Sequence, residues 1–116
     1  MCIRDSGYSD GRSETRIGTA LARAGDAPAG LLVTTKVDAR DGDYSGRRVR
    51  ESVAESRARL GMDTLPLVYL HDPEFFPDAG FEAPGGAIEA LVELRDAGVI
   101  GHLGIAAGHV LSLIHI

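Results

Sequence analysis

Two titratable side chains end short apolar runs of this sequence, at positions where an ordinary buried strand does not carry a charge. Lys36 ends the run at residues 31–36, and His71 ends the run at residues 65–71. Because each run is followed by a stretch with helical period, both are expected to be strands of a parallel sheet covered on both faces. Ligands of such sheets bind outside the carboxyl ends of the strands, which is where both residues fall. An amine and an imidazole placed there could converge on one oxygen atom of a ligand.

Each of these residues also has an interpretation without chemistry. Lys36 could extend from the rim of the sheet only to reach solvent. His71 could be a core histidine with a hydrogen-bond partner or, together with Asp72, a metal ligand at the mouth of a barrel. The residue types alone leave these alternatives open.

The chain around the two runs alternates between helical and strand patterns. Ser13 can cap a helix at residues 14–24 that Gly25 ends, and Ser45 can cap a helix at residues 46–60 that Gly61 ends. The remaining predicted elements are strands at 31–37, 65–71 and 102–105, a helix at 86–97 ended by Gly98, and loops at 38–44 and 72–84. Alternation at this spacing predicts an α/β fold, either a doubly wound sheet or a (β/α)8 barrel. About three β/α units cannot close a barrel of eight, so we expect a partial (β/α)8 TIM barrel.

Composition narrows the classes of partner. The chain has 116 residues, 12 Lys and Arg against 17 Asp and Glu, and a net charge of -5. This balance argues against a broad surface for nucleic acid or acidic membranes, which needs concentrated basic charge. The single cysteine, Cys2, excludes an internal disulfide framework. With no run of 18 apolar residues and no visible signal peptide, a cytoplasmic location is expected.

The two ends of the chain fit neither the pattern nor the turn chemistry of the interior. Residues 1–6 and 111–116 resemble translated sequencing-adapter residues at the ends of gene fragments assembled from metagenomic reads. We therefore expect a non-native leader at 1–6, a partial barrel at 7–110 and a non-native tail at 111–116. The chain would then be an internal piece of a longer protein.

Motifs in the interior resemble those of the aldo-keto reductases, in family order from residue 7 to residue 108. Residues 8–14, Tyr-Ser-Asp-Gly-Arg-Ser-Glu, resemble the Tyr-Gly-x-Gly-x-Ser-Glu signature, and residues 33–37, Val-Thr-Thr-Lys-Val, resemble the strand that carries the family lysine. Residues 52–63 resemble the Ser-Leu-x-x-Ser-Leu-x-x-Leu-Gly-x-Asp helix, and residues 87–104 resemble the next helix and strand. Residues 71–73, His-Asp-Pro, most resemble the branch that oxidises free aldoses such as fucose or galactose.

The resemblance implies an NAD(P)-dependent oxidoreductase with Tyr8, Lys36 and His71 as catalytic residues. In the family a tyrosine exchanges a proton with the substrate oxygen, while NADP or NAD exchanges hydride at the carbon of a small carbonyl or sugar substrate. A phenol with a pKa near 10 is a poor acid or base at neutral pH, and the Lys36 ammonium would lower that pKa by favouring the phenolate. His71 would orient the substrate oxygen. No metal is implied, and the cofactor-binding residues are unknown because the later strands are missing.

The sequence departs from the family pattern at two places. Ile3 stands where the family has the aspartate that pairs with the lysine, and Asp5 is too close to Tyr8 to take that role. Ala106 and Ala107 stand where many relatives have Ser-Asn against the nicotinamide. Two alternatives stay open: a non-catalytic binding or regulatory subunit, and a metal-dependent (β/α)8 hydrolase using His71 and Asp72, with His102 as a further candidate ligand.

Overall fold

The computed structural model describes residues 11–25, 30–37, 43–71, 80 and 83–106. These residues form, in chain order, α1 (Arg12–Ala24), β1 (Thr34–Val37), α2 (Gly46–Leu60), β2 (Leu65–His71), α3 (Ala87–Asp96) and β3 (Ile100–Ala106). The strands form one parallel sheet in the order β1-β2-β3. None of the helices in these ranges combines the length and hydropathy that crossing a bilayer requires. The predicted alternation of helices and parallel strands is confirmed.

Helix α2 begins and ends where its capping residues predict. The Ser45 side chain accepts a hydrogen bond from the Arg48 backbone N–H at 3.2 Å, which satisfies one of the open donors of the first turn. Gly61 follows the last turn with φ 67°, a left-handed conformation that costs a glycine little. Strand β2 likewise has its predicted bounds, because its apolar run is closed on both sides by polar residues.

Two predicted starts are wrong. Ser13 does not cap the first helix, which begins at Arg12 after Gly11 in a left-handed conformation with φ 77°. A glycine is favoured there because other residues rarely adopt this φ, and a Cβ would also require the Arg59 guanidinium to move. The first strand begins at Thr34, not at residue 31, and the Leu32 side chain remains 59% exposed. Thr34 pairs with Leu67, so the preceding residue lies opposite Pro66, which has no N–H to give to the ladder.

The third unit differs from its predicted bounds by a few residues. Helix α3 ends at Asp96, and Gly98 beyond it has φ 79°. Strand β3 begins two residues earlier than predicted, because Ile100 pairs with Leu65 of β2.

Side chains alternate between the two faces of the sheet, and one face is packed by the helices. Thr35 and Val37 of β1 lie beside Val68 and Leu70 of β2 on this buried face. This face of the sheet and helices α2 and α3 form one hydrophobic core. Its buried members are Val37, Tyr44, Val49, Val53, Leu60, Leu65, Val68, Leu70, Ala87, Ala90, Leu91 and Ile100. The opposite face, which we call the inner face, carries Lys36 and His71.

Helix α1 packs on the C-terminal end of α2 through a glycine. Gly18 is buried, and a Cβ at this position would overlap the Arg59 carbonyl oxygen and lie 3.0 Å from the Leu60 Cα. Because both neighbours are backbone atoms of a helix, neither can rotate away. The absence of a side chain at Gly18 therefore sets the distance between the two helices.

Replacing Gly18 with alanine is expected to destabilise the protein, although alanine is the better helix former. Helix propensity alone favours alanine by about 1 kcal/mol. Overpacking costs about 1–3 kcal/mol and more where the neighbour is rigid, so we expect a net loss of about 2 kcal/mol. Thermal unfolding of the full-length protein should show a Tm lower by roughly 4–8 °C.

The exposed Ala20 on the same helix provides the control. Ala20→Gly should cost about 1 kcal/mol through propensity alone. If Gly18→Ala instead raised the Tm, the close approach of α1 to α2 would be wrong.

Candidate active site

Lys36 projects from the inner face near the carboxyl end of β1. Its Cα is paired with that of Tyr69 on β2, and Tyr69 is paired in turn with Gly104 on β3. Lys36 is half-buried between the buried Thr35 and Val37, as expected for a strand that alternates between a packed face and a second face. The structure therefore places the lysine in a row across the three strands.

His71 ends β2 on the same face, two residues beyond Tyr69. From strand spacings of about 4.8 Å and a rise of about 3.3 Å per residue, the Lys36 and His71 Cα atoms lie about 8 Å apart. Both side chains are long enough to reach a common oxygen across this distance. The two predicted site residues that the structure describes thus share one rim and one face.

A buried tyrosine contacts the main chain at His71. Tyr44 is buried in the core at 3% exposure, and its hydroxyl donates to the His71 carbonyl oxygen at 2.7 Å. The next residue, Ser45, forms an antiparallel bridge with Gly86, and the Gly46 N–H donates to the Gly85 carbonyl at 2.9 Å. These contacts join the segments before α2 and α3 beside the end of β2.

Asp43 stabilises the same segment. Hydrogen bonds from the Ser45 side chain and from the Ser45 backbone N–H, the latter at 2.9 Å, hold the pKa of Asp43 below its ordinary value. Desolvation by burial opposes this shift, and the charges of Arg47 and Arg48 each lower the pKa by a smaller amount. The carboxylate is therefore ionised at neutral pH beside the N-terminus of α2, where negative charge is favourable.

The residues at the end of β3 that face the candidate site have small side chains. A Cβ at Gly104 would lie 2.9 Å from Cδ1 and Cε1 of Tyr69, so the tyrosine ring occupies the space that a larger residue would need. Ala106, paired with His71, is half-buried and offers no side-chain hydrogen bond. Tyr69 is accordingly a packing residue of the inner face.

A third site residue, Tyr8, lies outside the described residues, as do Asp72 and Ala107. The segment that follows Tyr8 is described from Gly11 onward, and it contacts β1 directly behind Lys36. There the Thr35 hydroxyl donates to Glu14 Oε2 at 3.0 Å. The sequence indicates Glu14 only as part of a signature, because a contact over 21 positions leaves no local pattern.

The two histidines of the metal alternative, His71 and His102, are not brought together. His102 pairs with Leu67, four residues before His71 along the strand direction, which separates the two histidines by roughly 13 Å. Across the described ranges, no group of three or more His, Cys, Asp or Glu side chains is placed to hold a metal ion.

Parallel β/α units are the repeating unit of a (β/α)8 barrel, and Lys36 and His71 lie at the carboxyl rim of this sheet, the end at which such barrels bind their ligands. The sequence model of the Aldo/keto reductase family matches residues 6–113, and the chain belongs to this family. The predicted resemblance and the predicted partial barrel are thereby confirmed.

The chain is similar to two sugar dehydrogenases and to a solved aldo-keto reductase. It is 41% identical over 68 residues to D-threo-aldose 1-dehydrogenase of a Pseudomonas species, which covers 59% of this chain and 20% of that protein. It is 43% identical over 76 residues to D-arabinose 1-dehydrogenase of Saccharomyces cerevisiae, covering 61% and 20%. The holo form of aldo-keto reductase AKR11C1 from Bacillus halodurans superposes with a TM-score of 0.70 at 28% identity, covering 93% of this chain and 36% of that one. The chain therefore spans well under half the length of these proteins.

Proposed function

We propose that this chain supplies three consecutive β/α units of an NAD(P)-dependent oxidoreductase that oxidises aldoses at the anomeric carbon. The observation that carries the proposal is the placement of Lys36 and His71 at neighbouring strand ends on one inner face, within a member of the Aldo/keto reductase family. The two similar dehydrogenases, which act on D-threo-aldoses and D-arabinose by name, favour a sugar as the substrate. A small-molecule substrate and a cytoplasmic setting belong to the same proposal.

In this proposal three side chains divide the work on one oxygen. Tyr8 takes the proton of the sugar hydroxyl during oxidation and returns it during reduction. The Lys36 ammonium favours the phenolate form of Tyr8, and the His71 imidazole hydrogen-bonds and orients the same oxygen. The rigid main chain at His71, held by the Tyr44 hydroxyl, keeps the imidazole in place.

The described residues fit the reacting end of a nicotinamide site. A bound NADP or NAD would supply the hydride acceptor at the carbon next to the oxygen that Lys36 and His71 face. Gly104 and Ala106 have small side chains and leave space at the end of β3 beside that position. Ala106 has no side-chain donor for a hydrogen bond to the carboxamide of the nicotinamide. At the described end of β3, a contact with the carboxamide would therefore have to come from backbone groups.

The two alternatives differ in what they require of the same residues. A non-catalytic subunit would bind cofactor without turnover, and nothing in the described site argues for it over the enzyme. A metal-dependent hydrolase would need His71 and His102 within reach of one ion, which their strand positions do not allow. The family match gives the hydrolase no support.

The test is a sugar-oxidation assay on two proteins, the full-length gene product and the 116-residue chain alone. The full-length protein should reduce NAD or NADP with L-fucose, D-galactose or D-arabinose, followed by the absorbance of the reduced nicotinamide. The 116-residue chain should show no turnover, because among its described strands the outer edges of β1 and β3 are unpaired and Leu31 and Leu32 are exposed. Full-length protein that binds cofactor but oxidises none of these sugars would contradict the aldose proposal. Activity of a monomeric 116-residue sample would contradict the need for the rest of the barrel.

A further inference from the structure

A buried carboxylate lies directly behind the strand that carries Lys36. Glu14, in the first turn of α1, is 5% exposed, and its Oε2 accepts the hydrogen bond of the Thr35 hydroxyl at 3.0 Å. Its other oxygen, Oε1, pairs with Arg59 at 3.3 Å. Thr35 is itself buried at 8% exposure, on the face of β1 opposite Lys36. The contact thus joins α1 to β1 one residue before the lysine.

Because this contact is polar, we expect it to fix the relative position of α1 and β1 more than it raises the free energy of unfolding. A buried ion pair must offset the desolvation of both charges, and apolar residues of similar volume often stabilise a protein at least as well. A hydrogen bond between two buried side chains, unlike an apolar contact, fixes both distance and direction. The pair therefore defines where the first turn of α1 lies relative to β1.

Arg59 completes the arrangement from α2. Its guanidinium lies across Gly11, and its second terminal nitrogen is 3.7 Å from Glu55. Glu55 in turn forms two hydrogen bonds with the buried Arg48, at 3.1 and 3.2 Å. The Glu14 carboxylate therefore binds Arg59 of α2 through one oxygen and Thr35 of β1 through the other.

We propose that Glu14 is a positioning residue for the reaction: through Thr35 it fixes the segment that begins at Tyr8 against the strand that carries Lys36. Tyr8 precedes Glu14 by six residues, and Lys36 follows Thr35 directly. The inference rests on the proposed function, because it says that the contact between Glu14 and Thr35, outside the site, controls the distance between the Tyr8 phenol and the Lys36 ammonium. Loosening the contact would separate the two groups without removing either.

The test uses Thr35→Val in the full-length protein, because valine keeps the shape of threonine and removes the hydroxyl. We expect kcat for sugar oxidation to fall by roughly 10- to 100-fold, as small misplacements of reacting groups do, with KM for the cofactor unchanged. The rising limb of the pH profile of kcat should move to higher pH, because a more distant ammonium favours the phenolate less. Thr35→Ser, which restores the hydroxyl, should restore both values. Glu14→Gln should have a smaller effect, because an amide oxygen can still accept from Thr35.

A core variant separates positioning from mere stability. Val53→Ala removes buried volume from α2 and touches neither Glu14 nor Thr35 as a hydrogen-bond partner, so it should lower the Tm with kcat and its pH profile unchanged. If Thr35→Val behaved like Val53→Ala, with a lower Tm alone, the positioning role would be overturned.

Sugar oxidation by the wild-type protein tests the proposed function separately from the positioning role of Glu14. If the wild type oxidises no sugar, the proposed function fails, and crystal structures of the wild type and Thr35→Val decide the positioning role. A longer distance from Tyr8 Oη to Lys36 Nζ in the variant would support it, and an unchanged distance would overturn it.

Discussion

Replacing Tyr8 with phenylalanine in the full-length protein is expected to remove most of the sugar oxidation while leaving cofactor affinity nearly unchanged. The change removes one hydroxyl, the proposed proton acceptor, and keeps the ring. General acid and base groups contribute typically 10²- to 10⁴-fold to a rate, so kcat should fall by about that factor. Steady-state oxidation and a separate fluorescence titration of the reduced cofactor would measure the two quantities.

A second tyrosine of the chain gives a matched comparison. Tyr69→Phe also removes one hydroxyl, but its ring packs over Gly104 and should remain there, so kcat should stay close to the wild-type value. Turnover that survives Tyr8→Phe, or that is lost equally in both variants, would show that the proton-transfer role is misplaced.

Local chemistry was sufficient to predict the parts of this fold that are bounded by their own sequence. Helix α2 and strand β2 have their predicted residues because Ser45 and Gly61 act on adjacent backbone and because the apolar run at residues 65–71 is interrupted on both sides. In each case the interactions that set the boundary lie within four residues. Pattern and turn chemistry describe such interactions well.

The wrong predictions share a different cause, a contact with a distant residue. Ser13 looks like a helix cap, but the helix begins at Arg12 after the left-handed Gly11, against which the Arg59 guanidinium of α2 lies. The apolar run at residues 31–37 looks like one strand, but pairing begins only at Thr34, after the position opposite Pro66. Both reasons depend on which residue of another element is the neighbour, and this information is not present in the local sequence.

For the candidate site, too, local sequence predicts some residues, and contacts between distant residues determine the others. Lys36 and His71 stand out as charged or titratable ends of apolar runs, and parallel strands bring such ends to one rim without further information. The supports behind them do not stand out: the Tyr44 hydroxyl on the His71 carbonyl spans 27 positions, and the Glu14 contact with Thr35 spans 21. For Glu14 the family signature was the available signal, since it marks the residue without giving its partner.

Replacing Lys36 with methionine is expected to reduce kcat at neutral pH by roughly 10²-fold or more and to change its pH dependence. Methionine has a similar length and no charge, so packing on the inner face is kept while the ammonium is lost. In the proposed mechanism the phenolate form of Tyr8 is the base, and the Lys36 ammonium would favour that form. Without the ammonium the pKa rises toward the ordinary value near 10, so activity should recover partly as the pH approaches that value.

The direction of that shift distinguishes an electrostatic role from a steric one. Lys36→Arg retains a positive charge at the same strand position, and its pH profile should stay near that of the wild type even if kcat falls because the guanidinium is larger. Loss of activity in Lys36→Met that is equal at every pH would mean that the lysine acts by binding substrate or by packing. A pH profile that shifts upward in Lys36→Met and not in Lys36→Arg would support an ammonium close to the Tyr8 phenol.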